Sequence, residues 1–204
     1  MTIRFHQGDL PDLELYSDSA AIDTETLGLV PGRDRLCVIQ LSPGDGSADV
    51  VQIARDQKSA PNIERLLGDK AITKIFHFGR FDLAVLNLAF GVMAEPVYCT
   101  KIASKLVRTY TDRHGLKDLT KELLGIDISK QQQSSDWAAD SLSQAQLEYA
   151  ASDVLYLHEL KAQLDGMLKR EERTKLAQAA FEFLPWRARL DLNGWPDTDI
   201  FAHS

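Results

Sequence analysis

The stretch that most restricts the fold is Ala20 to Glu25, AAIDTE. Two alanines and an isoleucine leave no room for solvent, so a strand here must lie in the middle of a sheet, over Ala20–Thr24. Its end is acidic. Residues i and i+2 of a strand share a face, so Asp23 and Glu25 point together at one spot.

Two further carboxylates stand on elements that would hold them still. Asp82 falls in the first turns of a helix predicted over Arg80–Phe90, and Asp153 lies inside a longer helix with Tyr149 one turn before it. Four acids that converge repel one another unless cations sit among them. Hard divalent ions, Mg²⁺ or Mn²⁺, prefer oxygen ligands and keep positions open for phosphate. The pattern therefore predicts a metal-dependent phosphodiesterase.

The remaining chain supplies the scaffold. Ile3–His6 reads as an edge strand, and Leu10, Leu13 and Leu15 could anchor a short helix. Arg35–Leu41 and Val50–Ile53 flank Pro-Gly and Asp-Gly, which makes a hairpin. A helix over Ala60–Leu67, a strand over Ala71–Phe76, an extended Pro96–Tyr98 and a helix over Thr100–Val107 follow. Leu116, Leu119, Leu123 and Leu124 form one helical stripe closed by Gly125. ISKQQQSSDWAADS is read as a polar loop pinned to the core by Trp137, after which Ser143 caps one long helix to Leu168. KREERTK is read as a solvated helix surface. A terminal helix stopped by Pro185 then leads into an irregular tail anchored by Leu192, Trp195 and Ile200 or Phe201. The expected fold class is α/β, or α+β-like: a mixed sheet flanked by helices, with one domain over 1–168. Residues 169–204 are expected to pack on it or on a partner subunit, so a homo-oligomer is possible.

Composition narrows the function classes. With 44% apolar and 26% charged residues the chain is globular, and no apolar run approaches the roughly 20 residues of a membrane span. The N-terminus lacks the pattern of a secretory signal, so a cytoplasmic location is expected. Two cysteines, Cys37 and Cys99, are too few for a disulfide scaffold or a zinc site. A net charge of −7 speaks against a nucleic-acid partner, but between Cys99 and Lys121 six basic residues (Lys101, Lys105, Arg108, Arg113, Lys117, Lys121) face two acidic ones. That run is either a solvated helix face or a local track for a phosphate backbone.

Taken in order, IDTE, KIFHFGRFDLAVL and YAASDVLYL resemble the three motifs of the DEDD superfamily of 3′–5′ exonucleases, in its tyrosine branch. KQQQSSDW followed by LSQAQLEYAASDV is similar to ribonuclease D in particular, and the resemblance spans about residues 18 to 165. It implies the ribonuclease H-like fold of that superfamily. It implies two divalent cations, with Asp23 between them, Glu25 and Asp153 completing the one that holds the attacking water, and Asp82 on the leaving-group side. Tyr149 would orient that water. The implied partner is single-stranded RNA with a free 3′ end, losing nucleoside 5′-monophosphates. Single-stranded DNA stands as the alternative, since nothing in the motifs reads a 2′-hydroxyl, and a non-catalytic nucleic-acid-binding module is a third reading. Asp140 and Ser141 stand where ribonuclease D tends to have Arg-Pro, which sets aside a tRNA-type preference.

Around the acids, Thr24, Leu27, His77, Phe78, Phe81, Lys117, Lys130 and Gln133 are the candidate substrate contacts. For several, a plainer role stands beside the functional one. Leu27 with Gly28 either wedges the terminal nucleotides or makes a simple turn. His77 either donates to phosphate or a carboxylate, or is a satisfied strand-end histidine. Phe78 and Phe81 offer a stacking face, although Phe81 also suits the core.

Overall fold

A computed structural model describes residues 2–129 and 131–203. Lys130 lies outside the described residues. The described strands form one sheet: β1 Thr2–Gln7, β2 Ser19–Thr26, β3 Leu36–Ser42, β4 Ser47–Gln52, β5 Thr73–Phe76 and β6 Val97–Cys99, in the order β1-β4-β3-β2-β5-β6. β1 is the edge strand that its weak alternation predicts, and it runs parallel to β4. β3 and β4 form the expected hairpin, and β2 lies between β3 and β5, antiparallel to one and parallel to the other. The hairpin turn depends on Gly44, whose φ is +90°. A Cβ there would also lie 2.8 Å from the His158 ring.

Helices α1 Pro61–Gly68, α2 Arg80–Phe90, α3 Thr100–Val107, α5 Gln144–Leu155, α6 Leu157–Arg170 and α7 Thr174–Leu192 surround the sheet. The short α4 Leu116–Leu119 runs into a π-helical turn, Thr120–Leu124, closed by Gly125 at φ +74°. α5 opens on a capping box in which Ser143 and Gln146 satisfy one another's backbone N–H groups. No helix of the described residues is long and apolar enough to cross a membrane.

Four expectations fail. Leu10, Leu13 and Leu15 form no helix; the segment is held instead by Asp9, which accepts from the N–H groups of Leu10, Asn62 and Ile63. The long helix from Ser143 breaks at Tyr156, because α5 packs on β2, β3 and β4 while α6 turns toward α3 and β5. KREERTK is not a continuous helix surface: α6 ends at Arg170, Glu172 takes φ +55°, and α7 begins at Thr174. Pro185 does not stop α7. A proline in a helix interior costs about 3 kcal/mol, but this one is buried with Phe181, Leu184 and Ala188 on the face that α7 lays against α2, α3 and β6. Tertiary burial outweighs the lost hydrogen bond. Of the expected tail anchors, Leu192 is instead the last residue of α7 and partly buried, whereas Trp195, Ile200 and Phe201 stay exposed. Two arginines hold the tail: Arg187 donates to the carbonyls of Trp195, Pro196 and Thr198, and Arg80 to that of Pro196.

The basic run from Cys99 to Lys121 is not a uniform track. Arg108 is completely buried and ion-paired with Glu122, and both Lys117 and Lys121 face Asp127. Among the described residues, Lys101 and Lys105 have no carboxylate within ion-pair distance.

Candidate active site

The site forms where β2 outruns its neighbour. β5 pairs only with Ser19, Ala20 and Ala21, so the second half of β2 is uncovered on that side. Asp23 and Glu25 lie on this uncovered half, and the register with β3 slips just beyond, between Glu25 and Thr26. The chain leaving β5 turns through His77, Phe78 and Gly79 into α2 and brings Asp82 to the gap. Gly79 is required there, since a Cβ would sit 2.6 Å from that of Phe76. Asp82 occupies the first turn of α2, where the helix dipole favours an acid, and its Oδ1 accepts from the Thr24 hydroxyl at 2.6 Å. From the other side α5 presents Tyr149 and Asp153 on one face.

One carboxylate oxygen from each of Asp23, Glu25 and Asp153 lies within 4.8 Å of the others. Asp82 stands outside that triad, but its charge is felt by both Asp23 and Glu25. Burial, followed by the charges of Asp82, Asp153 and Glu25, holds the Asp23 carboxyl well above the usual range. Glu25 is pushed up to about 9 by burial and then by Asp153 and Asp82. Asp82 is raised to about 7 by burial, against the hydrogen bonds it accepts from Thr24 and backbone N–H groups. Burial and the neighbouring acids also raise Tyr149, so its phenol keeps its proton and acts as a donor, with Asp153 within its reach.

These shifts share a reading. Hard oxygen donors are gathered around one point, where burial and mutual repulsion disfavour their charged forms. The donor set fits a hard divalent cation, and Asp23, Glu25 and Asp153 are the residues that could hold one.

Tyr149 is also braced from behind. Trp137 is buried, its ring centroid 6.0 Å from that of Tyr149, within a small cluster with Cys37, Val38, Val50 and Ala150. The polar excursion before α5 is thus pinned to the core, as expected of Trp137, and Gln52 secures it further through the carbonyl of Ala139.

The other candidates are placed unevenly. Thr24 is buried, and its hydroxyl is engaged by Asp82. Leu27 is exposed just past Glu25. His77 Nδ1 is 2.9 Å from the Thr100 hydroxyl, which itself donates to the Phe76 carbonyl. Phe81 packs against the core. Gln133 is exposed in the excursion, and Lys117 is committed to Asp127. Phe78 is the unusual one: a bulky residue at φ +67°, 49% exposed, with the Lys101 ammonium 4.4 Å above its ring. A left-handed backbone costs an aromatic residue about 1–2 kcal/mol. The turn that delivers α2 to the gap imposes it. Phe78, Lys101 and Lys105 border a cavity of about 230 Å³ that has no acid in its lining.

Gln40 was missing from the sequence-based candidates. It lies opposite Asp23 in the β2–β3 register and donates from Nε2 to Asp23 Oδ2 at 3.0 Å. The available signal was a lone amide inside LCVIQL, a strand otherwise apolar until its last residue.

Comparison with known proteins agrees with this geometry. A family model described as 3′-5′ exonuclease matches residues 13–169. The chain belongs to the 3′–5′ exonuclease family. Among its relatives is ribonuclease D of Granulibacter bethesdensis, 36% identical over 152 residues, which are 74% of this chain and 38% of that protein. The chain thus spans well under half the length of the curated ribonucleases D it matches. Likeness to Brucella melitensis NrnC covers 100% of both chains: the structure with bound Mg²⁺ is 69% identical with a TM-score of 0.97, and the structure bound to pGG is 70% identical at 0.98. Escherichia coli RNase D, described as an exoribonuclease involved in structured RNA processing, is 26% identical with a TM-score of 0.75. That match covers 88% of this exonuclease chain and 48% of RNase D. The mixed sheet flanked by helices is accordingly the fold of these exonucleases.

Proposed function

We propose that this protein is a 3′–5′ exoribonuclease that uses Mg²⁺ or Mn²⁺ to remove nucleoside 5′-monophosphates from the free 3′ end of short single-stranded RNA. The observation that carries the reading is the convergence of the Asp23, Glu25 and Asp153 oxygens within 4.8 Å, under the charge of Asp82. The likeness to NrnC bound to pGG supports RNA, and shortness in particular, because pGG denotes a phosphorylated pair of guanine nucleotides.

The reaction is hydrolysis. A water oxygen bonds to the phosphorus of the last phosphodiester, the bond from phosphorus to the upstream 3′-oxygen breaks, and that oxygen takes up a proton. The phosphate stays on the departing nucleotide. Asp23, Glu25 and Asp153 would hold one cation, and Asp23 with Asp82 a second. Cations held there would lower the pKa of the attacking water and offset charge on the phosphate and the leaving oxygen. Tyr149 keeps its proton and donates a hydrogen bond, so it orients the water rather than deprotonating it. Leu27, just past Glu25, and Phe78, in the turn into α2, are exposed and would offer apolar faces to the terminal bases, and the Lys101 and Lys105 ammonium groups a place for phosphate. Thr24 acts through Asp82 in this scheme, while His77, Phe81, Lys117, Lys130 and Gln133 remain substrate candidates on sequence grounds.

The cytoplasm is the expected compartment for such a substrate. Self-association into a homo-oligomer is supported by the exposed Phe183, Trp186, Trp195 and Phe201 on α7 and the tail, and light scattering would test it. The activity is tested with matched RNA and DNA oligomers labelled at the 5′ end, from dinucleotides upward, in Mn²⁺, Mg²⁺ or EDTA. RNA should shorten from its 3′ end only with metal. Equal or faster shortening of DNA would overturn the RNA preference, and activity in excess EDTA would overturn the metal mechanism.

A further inference from the structure

We infer that Gln40 and the Thr24 hydroxyl are positioning residues of the metal centre, two neutral donors that fix the Asp23 and Asp82 carboxylates for a cation. The inference deepens the metal-dependent reading above and rests on it. Gln40 Nε2 reaches Asp23 Oδ2 at 3.0 Å from directly across the sheet, and Thr24 Oγ1 reaches Asp82 Oδ1 at 2.6 Å. Each of the two acids thus has a side-chain donor of its own, beside the backbone N–H groups.

The core gives Gln40 no other reason to be there. Gln40 is completely buried, and among the described residues its amide oxygen has no hydrogen-bond partner. A leucine or methionine would fill the same space without an unpaired acceptor. Among the described residues the amide makes one hydrogen bond, and it goes to Asp23. A local rule broken in this way marks a functional position.

The neutrality of both donors is what the chemistry asks for. A lysine or arginine in either place would neutralise its carboxylate and compete with the cation, as Arg4 does for Asp49 elsewhere in the sheet. An acid would add to the repulsion. An amide or hydroxyl fixes the rotamer and leaves the negative charge in place. A carboxylate oxygen that accepts one hydrogen bond keeps further lone pairs, so both aspartates can still ligate.

The test is calorimetric titration of the full chain with Mn²⁺ alone, beside thermal melts in EDTA. Gln40→Met and Thr24→Val, each close in size and lacking the donor, should weaken Mn²⁺ binding by about 10-fold or more, the usual effect of removing a partner of a metal ligand. Their metal-free melting temperatures should not fall in parallel, because Gln40→Met also removes the unpaired acceptor. Thr24→Ser, which keeps the hydroxyl, should stay near the wild-type affinity. Wild-type affinity in both Gln40→Met and Thr24→Val would overturn the inference, as would equal losses in Thr24→Ser and Thr24→Val. Affinity that falls only in step with the metal-free melting temperature would assign both residues to the core instead. No Mn²⁺ binding by the wild-type chain would remove the metal reading itself, and this inference with it.

Discussion

Two carboxylate centres share one sheet, and the protein treats them in opposite ways. Asp49 on β4 accepts from Arg4 Nε and Nη2 at 2.7 and 2.8 Å and from the Tyr16 hydroxyl at 2.6 Å, with His6 Nε2 at 2.8 Å. Burial would raise its pKa, but the hydrogen bonds from Arg4, Tyr16 and His6 prevail and lower it. Asp23 on β2 has an amide, a backbone N–H and three other acids around it, and is held high. The first centre is complete in the protein. The second is one that the proposed cation would complete, and the two carboxylates differ in the partners around them: a cationic side chain at Asp49, other acids at Asp23.

The strongest way to break the contrast is to neutralise one member of each centre. Asp23→Asn should reduce turnover by about 10³-fold, the order of loss when a preorganised electrostatic partner of a transition state is removed. The same change should raise the metal-free melting temperature by relieving repulsion. A variant with normal turnover, or one that melts lower in EDTA, would contradict the assignment of Asp23. Asp49→Asn should do the reverse, costing about 3 kcal/mol of stability by leaving Arg4 partly unpaired while the folded fraction keeps its turnover. Chemical denaturation together with rates normalised to folded protein would show it. An undiminished midpoint would mean the Arg4–Asp49 centre is not structural.

A smaller effect sharpens the comparison inside the active site. Tyr149→Phe should lower kcat by about 10²-fold while Mn²⁺ affinity stays at the wild-type value, since the phenol donates but does not ligate. Loss of metal binding in calorimetry would make Tyr149 part of the cation site instead. The shallowest effect is the pH dependence of the metal-free protein. Asp82 and Glu25 have folded pKa values raised to about 7 and about 9, so between roughly pH 4 and 9 the folded state holds more protons than the unfolded one. Stability should therefore fall as pH climbs through that window, by about 1 kcal/mol per pH unit, and saturating Mn²⁺ should flatten the slope. Asp49, whose folded pKa is lowered, contributes stability that is lost only as pH drops below the ordinary aspartate range. Melting curves at several pH values, with Mn²⁺ or EDTA, separate the two; a rising metal-free slope between pH 5 and 8 would reverse the sign argued for the acid cluster.

What could be read in advance was whatever short-range geometry decides. The i, i+2 spacing of Asp23 and Glu25, the helical turn from Tyr149 to Asp153, the hairpin around Pro-Gly and Asp-Gly and the Ser143 cap each involve neighbours a few residues apart, and each is present in the structure. The failures came where distant partners intervene. Pro185 continues a helix because α2, α3 and β6 bury its face; Tyr156 breaks one because its two halves answer to different elements; Arg108 leaves the basic run to pair with Glu122 inside the fold.

For this protein, then, local spacing determined which carboxylates share a face and which elements carry them, because strand and helix periodicities act over one or two turns. Only the tertiary structure decided that β2 outruns β5 to open the gap, that Phe78 is forced into a left-handed turn beside it, and that Gln40 and Thr24 hold two of the acids. Those outcomes depend on contacts between segments as much as 58 residues apart, where burial and hydrogen bonding outweigh any local preference.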